Sequence, residues 1–200
     1  LLMIGLTFFF IHIICYWAMV FLYDKNVPID DLKIAASSSL KNQLLYTLPC
    51  TVIFFNNYPI IYEHFFSSFG YFPILIISSD CYFYITHRPM HSKWLYHMHK
   101  HHHTGSVCVA KSLDANALEH IIGNLGSFII GVVCLWYFGV IINIYIVGGW
   151  VGFATINTCI SHSNLKCKFD SGKHLNHHKY RQCNFGFGLY LMDRLTGAYK

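Results

Sequence analysis

Charge is scarce in this sequence. Charged residues fill 12% of its 200 positions, and only nine are acidic, where a soluble domain of this size is roughly one quarter charged. That shortage excludes a water-soluble monomer, a disordered chain and a nucleic-acid binder. Glutamate is reduced to Glu63 and Glu119. The Glu-x-x-His pairs of carboxylate-bridged metal bundles are therefore missing, and so is the HExxH helix of zinc hydrolases. The eight cysteines (15, 50, 81, 108, 134, 159, 167 and 183) form no CxxC pair, and several sit inside apolar runs. This argues against a disulfide scaffold and for reduced thiols acting as small buried apolar groups.

What the chain has instead is apolar length. Hydrophobic residues reach 54%, and the mean hydropathy is +0.41. Residues 1–23 carry no charge and as a helix would cover about 34 Å, enough to cross a bilayer and too long for the core of a signal peptide. Because the chain begins at Leu1 rather than Met, an upstream segment is expected. Further apolar stretches occupy 44–62, weakened by Pro49, Asn56 and Asn57, and 65–86, which contains Gly70, Pro73 and Asp80. From Ile121 to Ile160 the chain runs without a charge, about 60 Å of helix. That predicts two crossings, near 121–138 and 140–160, with the turn or a kink at Gly139 or at Gly148-Gly149. The expected architecture is all-α: a multi-pass membrane helical bundle forming one integral-membrane domain over 1–200, with a histidine-rich helical cap from 87–120 and 161–200. All fourteen Lys and Arg fall within 24–43, 87–120 and 161–200. Pairing the spans as hairpins puts those three segments on one side, while the turn at Glu63-His64 on the other side has no basic residue. The positive-inside bias then assigns the cap to the cytoplasm. A re-entrant 44–62 would move the first span and leave the two histidine regions together.

Histidine is the residue in excess. There are fourteen, seven of them between His87 and His103 and three between His174 and His178. His99, His102 and His103 stand at i, i+3, i+4, as do His174, His177 and His178, so on a helix each trio shares a face. Asp80, Tyr84, His87 and His91 form a single stripe if the third span continues as a helix, although Pro89 predicts a kink or restart there. His162 follows the last span at the same membrane level. Nine imidazoles on one membrane face suit a transition metal, and nine are too many for one ion and about right for two. Imidazole alone leaves zinc, copper, iron and nickel open. The register His97/His101/His102 competes with His99/His102/His103, which is preferred because it repeats the spacing of the second trio. A low-complexity tract that scavenges metal is the bland reading of 97–103. His12 and His64 read as structural, and His120 is left out of the ligand set. Asp80 is a candidate acceptor for the ring N–H of a ligand histidine, against a plain helix-end charge.

The motifs DCYFYITHRPMH (80–91), HKHHH (99–103), SHSN (161–164) and KHLNHHKYRQCNFGFGLYLMDRLTGAYK (173–200) together resemble the sterol desaturase / fatty acid hydroxylase superfamily. The likeness covers about 80 to 200, and the NFG and MDRLTGAYK elements are similar to the sterol C-5 desaturase and cholesterol 25-hydroxylase branches. It implies a multi-pass membrane oxidoreductase with two iron ions in a cytosolic cap, most simply in the endoplasmic reticulum membrane. Such enzymes use O2, and electrons from a donor such as cytochrome b5 and its reductase, to hydroxylate or desaturate a sterol or fatty acyl chain. By that likeness the metal ligands would be His87, His91, His99, His102, His103, His162, His174, His177 and His178. The chain departs from the pattern at Ala115-Asn116-Ala117-Leu118-Glu119, where many relatives read AHPxE, and at Met192, where Trp is common. These departures bear on substrate more than on metal. Two further readings stay open, a zinc-dependent membrane hydrolase and a non-catalytic haem or metal carrier.

Overall fold

Inside a bilayer no water satisfies a peptide group, so an uncharged run closes its own hydrogen bonds as helix. The first run does so as α1 (Leu2–Tyr23). The computed structural model describes residues 2–62, 64–163, 165 and 172–200; Glu63 of the expected turn, Asn164 of the SHSN motif and Cys167 lie outside them. After Pro28 comes α2 (Ile29–Asn42), with Asp30 and Asp31 in the first turn, where the helix dipole favours acids. It continues through a π-helical turn, Gln43–Thr47, into α3 (Leu48–Asn57), about 43 Å of helix in all. The 44–62 stretch is thus the far part of a longer helix. The 65–86 stretch is divided between the short α4 (Phe65–Phe69) and α5 (Phe72–Met90), with the break at Gly70-Tyr71 just ahead of Pro73.

The long uncharged region forms a hairpin. Its first arm is α7 (Ala117–Glu119), a second π turn at His120–Leu125 and α8 (Gly126–Tyr137); its second arm is α9 (Ile144–Ser161). The reversal falls at Gly139, whose φ of +75° suits glycine, while Gly148-Gly149 lies within α9. Among the described residues, three helical stretches are long and apolar enough to cross a membrane: Met3–Tyr23, Ala117–Tyr137 and Ile144–Ser161. The chain is a multi-pass membrane helical bundle.

α1 packs against α3 and α9, and α5 against α8. Their contact surfaces are made by Phe8, Phe55, Leu75, Val132, Trp150 and Val151, all buried. Two glycines let backbones approach, as small residues do between membrane helices. A Cβ on Gly5 would stand 2.6 Å from Val52 Cα, and one on Gly131 would stand 2.9 Å from Leu75 Cα. Phe10, Ile14, Phe21, Ile53, Ile77 and Ile156 point outward, as a lipid-facing surface requires. At the end away from the histidines, β1 (Ile60–Ile61) and β2 (Ile142–Asn143) pair in parallel.

The other end gathers the histidine regions. Buried Asp24, one residue past α1, accepts the N–H groups of Val109 (2.9 Å) and Ala110 (2.7 Å). The Tyr16 and Ser39 hydroxyls both donate to the Ala110 carbonyl at 2.7 Å, and Asn42 Nδ2 donates to the Leu113 and Ala115 carbonyls at 2.8 Å. Residues 109–115, which include a 3-10 turn at Val109–Leu113, are thereby fastened to α1 and α2. The cap is completed by α6 (Tyr96–His99), α10 (Lys173–Tyr180) and α11 (Leu191–Thr196). Cys15, Cys50, Cys81, Cys108, Cys134, Cys159 and Cys183 are free thiols.

Candidate metal centre

Four elements deliver imidazoles to one place. α5 runs on through Pro89 and ends at Met90, with His87 in its last turn and His91 just beyond. No restart occurs at the proline, because the helix stops one residue later and has little left to disrupt. Past α6 the chain turns tightly, with His102 N–H donating to the His99 carbonyl (3.0 Å) and His103 N–H to Lys100 (3.1 Å). His162 follows α9, and His174, His177 and His178 lie on α10.

These nine side chains fall into two groups. His87, His91, His99, His103 and His177 form one; His102, His162, His174 and His178 form the other, and within each group the ligand atoms lie within 4.8 Å of one another. The i, i+3, i+4 spacing acts differently from the single shared face expected. Each trio straddles both groups: His102 leaves His99 and His103, and His177 leaves His174 and His178. The two clusters thus share the 99–103 and 174–178 segments, with His87 and His91 completing one and His162 the other.

The hydrogen bonds of the outer ring nitrogens set the chemistry. His87 Nδ1 donates to the Phe185 carbonyl (2.7 Å), His102 Nδ1 to Asp114 (3.1 Å), His162 Nδ1 to Thr158 (3.2 Å) and His177 Nδ1 to Cys183 (2.8 Å). A carbonyl oxygen only accepts, so each contact holds the proton on Nδ1 and leaves Nε2 as a bare lone pair. His99 Nδ1 donates in the same way to Glu119 Oε1 at 2.6 Å. The Nε2 atoms then face one another, at 3.0 Å between His87 and His99, 2.9 Å between His99 and His103, and 3.0 Å between His102 and His162. Lone pairs at that distance repel unless a cation lies between them. His177 Nε2 and both nitrogens of His174 are buried with no partner among the described residues.

Protons are poor candidates for that cation. Burial, reinforced by like charge from neighbouring rings, pulls His103 down to about 3 and His91 to about 2; burial alone accounts for most of the fall of His87 and His162 to about 4. His99, His102, His174, His177 and His178 are also held well below the ordinary histidine range, with burial the largest cause. Nine neutral imidazoles drawn into two groups, five of them with Nδ1 engaged and Nε2 left as an inward lone pair, fit metal ions.

The carboxylates have sorted themselves in a way the sequence did not reveal. Asp80 does not meet a histidine. Its oxygens accept the backbone N–H groups of Phe187 (3.2 Å), Tyr190 (3.0 Å) and Leu191 (2.8 Å), because the chain after α10 folds back over α5 and offers peptide donors there. Asp193 accepts the N–H groups of Phe185 and Gly186, both at 2.7 Å. Gly186 is wedged between the two acids: a Cβ on it would stand 3.0 Å from an oxygen of each. Together they set the loop whose Phe185 carbonyl orients His87. The carboxyl that holds a histidine of the clusters is Glu119, unassigned from sequence. A lone acid at the head of an uncharged 40-residue run was the available signal, since such a group in a membrane helix demands a partner. Asn116 caps its helix by accepting Glu119 N–H at 3.0 Å and also donates to the Met98 carbonyl.

The remaining histidines lie elsewhere. His97 is exposed and bonds the Trp94 carbonyl, and His101 is more than half exposed beside Asp114, so the register that enters the clusters is 99/102/103. His12 meets Thr155 (2.9 Å), His120 meets Thr47 (2.9 Å), and His64 sits exposed at the far end.

The profile of the fatty acid hydroxylase family matches residues 72–198. The chain belongs to the fatty acid hydroxylase family. Two curated relatives, both named fatty acid hydroxylase domain-containing protein 2, come from Macaca fascicularis and Homo sapiens; each is 27% identical over 191 residues, covering 87% of this chain and 54% of the relative. The chain therefore spans about half the length of these relatives. No solved structure matches it.

In this fatty acid hydroxylase family member a cavity opens directly beneath the clusters. Its lining includes His87, His99, His102, His162 and His174 as well as Phe8, Phe83, Leu125, Phe128, Val151 and Ala154. The wall area is mostly apolar, as is usual for a small-molecule site, but His12, Thr47, Thr51, His120, Asn124 and Thr155 also line it.

Proposed function

We propose that the nine histidines hold two iron ions, five ligands in one group and four in the other, and that the chain uses O2 to hydroxylate or desaturate a lipid, a sterol or a fatty acyl chain. The observation that carries this reading is the pair of clusters, with inward, unprotonated Nε2 atoms, above a cavity whose wall area is mostly apolar. An unactivated C–H bond yields to neither acid nor base, and bound iron supplies the oxidising chemistry it needs, with two electrons and two protons accompanying each O2. The protein's own share is positional. The carbonyls of Phe185, Asp114, Thr158 and Cys183 and the carboxyl of Glu119 aim the rings and keep Nε2 available. The apolar walls hold a lipid carbon below the clusters and exclude water. Burial keeps the ligands from taking up protons in competition with metal.

The bundle is an integral-membrane domain whose cap faces the cytoplasm, in the endoplasmic reticulum membrane. The supporting fact is that every Lys and Arg lies in the three segments on the histidine side. Exposed Lys93, Lys100, Lys179 and Arg181 give the cap a positive surface that fits an acidic electron carrier such as cytochrome b5 with its reductase.

The test joins metal analysis to lipid profiling. The purified chain should carry two iron ions, and cells expressing it should contain an oxidised lipid missing from cells expressing His177→Ala or His102→Ala. His97→Ala and His101→Ala should behave as wild type. A chain saturated by a single zinc ion, unable to take up iron and indifferent to oxygen, would overturn the reading.

A further inference from the structure

A smaller pocket adjoins the main cavity. It lies between α5 and α9, beneath residues 187–189, and shares Ser79, Ala154 and Phe187 with the larger space. Its other walls include Ile76, Trp150 and Phe153. Two polar side chains line it, Ser79 and Asn157, only 1% and 6% exposed. Ser79 Oγ and Asn157 Oδ1 are both buried without a hydrogen-bond partner among the described residues. Neighbouring serines and threonines on these helices, Ser78 and Thr158, instead bond back to their own helix carbonyls at 2.6 and 3.0 Å. A buried polar group left unpaired is destabilising, and inside a bilayer no bulk water relieves it.

We infer that Ser79 and Asn157 form a binding site for the hydroxyl group of a lipid. A hydroxyl both donates and accepts. Its O–H can satisfy Asn157 Oδ1 while its oxygen takes the Ser79 O–H, so one group relieves both orphans. An ester or carboxylate head only accepts and leaves Asn157 Oδ1 bare. Gly188 keeps the pocket open: it has φ +82°, and a Cβ there would stand 3.2 Å from Asn157 Nδ2. The position suits a measuring device. Asn157 precedes His162 by five residues and Ser79 precedes His87 by eight, which puts the hydroxyl roughly 7–12 Å along the helix axes from the histidine level. The rest of the lipid extends into the main cavity, and the anchor decides which carbon lies beneath the clusters. Calling this lipid the substrate rests on the lipid-oxidising function proposed above; the binding itself does not.

The experiment is equilibrium binding to the full chain in phosphatidylcholine nanodiscs. Tritiated octadecan-1-ol and tritiated cholesterol serve as acyl and sterol sources of a hydroxyl, each compared with its deoxy counterpart. At least one alcohol should bind saturably, about tenfold more tightly than its deoxy form, and the one that does identifies the lipid class. Asn157→Leu and the smaller change Ser79→Ala should each abolish that preference while metal content and helix content stay as in wild type. Saturable binding of neither alcohol, equal binding of the deoxy form, or a preference that survives both substitutions would overturn the inference. His177→Ala separates the two claims: hydroxyl-dependent binding without turnover in that variant supports the anchor whatever the fate of the oxidation chemistry.

Discussion

Replacing Glu119 by leucine removes one hydrogen bond whose consequences can be followed outward. Glu119 is 6% exposed, and its Oε1 takes the Nδ1 proton of His99 at 2.6 Å. Leucine leaves that N–H buried and unpaired, and the ring is then free to rotate or change tautomer, which withdraws Nε2 from the cluster. Loss of such an orienting partner weakens metal binding by about 10- to 100-fold, equivalent to roughly 1.4–2.8 kcal/mol. Glu119→Gln keeps an oxygen that still accepts from Nδ1, so its loss should sit at the lower end, about tenfold. His99 belongs to the five-histidine group alone. Chelator competition on the iron-loaded chain in nanodiscs, followed by elemental analysis, should therefore show Glu119→Leu giving up one ion while the second is held as in wild type. Circular dichroism and the melting midpoint control for unfolding. If Glu119→Leu, correctly folded, holds both ions as tightly as wild type, the orienting role is refuted.

The depressed histidines make the metal-free chain acid-sensitive. An unfolded histidine titrates near 6.5, whereas His87 and His162 are drawn down to about 4, His103 to about 3 and His91 to about 2. Between those values the unfolded chain binds more protons, so stability is complete above about pH 6.5 and is lost as pH falls toward 4; a melting midpoint flat across that range would contradict the assignment. Asp80→Ala strips three backbone N–H groups of their acceptor and should lower stability by about 3 kcal/mol, read as a reduced melting midpoint together with weaker metal retention through the Phe185 carbonyl. Gly131→Leu forces α5 from α8 and should cost about 1–3 kcal/mol while leaving iron stoichiometry unchanged. Iron loss without a stability change in that variant would show the helix contact acting directly on the site.

The histidine spacings made the segments that form the two clusters legible in the sequence. Which ring joins which cluster was not: residues 101–103 lie in turns past a four-residue helix and lose helical phase, and on α10 the adjacent His177 and His178 project about 100° apart around the axis, one toward each group. The partners of Asp80 were hidden for a related reason. Asp80 lies on the stripe that carries His87, and only the return of residues 187–191, more than a hundred positions later, reveals that peptide N–H groups reach it first. The spans show the same division. Residues 1–23 and the uncharged hairpin stood out by hydropathy alone. The union of α2 with α3 across a π turn did not, since Pro49 and the two asparagines weaken the apolar pattern without breaking the helix.

By itself the sequence determined an all-helical membrane bundle, a one-sided distribution of basic charge and nine imidazoles at one membrane face. Those properties follow from composition, period and segment length, which are local. The tertiary structure alone decided the tautomers of His87, His99, His102, His162 and His177, the partition into five and four, Glu119 as the carboxyl that holds His99, and the unpaired Ser79 and Asn157 beside the cavity. Each depends on which backbone carbonyl or N–H arrives from a distant part of the chain, and hydrogen bonds of that kind leave no period in the sequence.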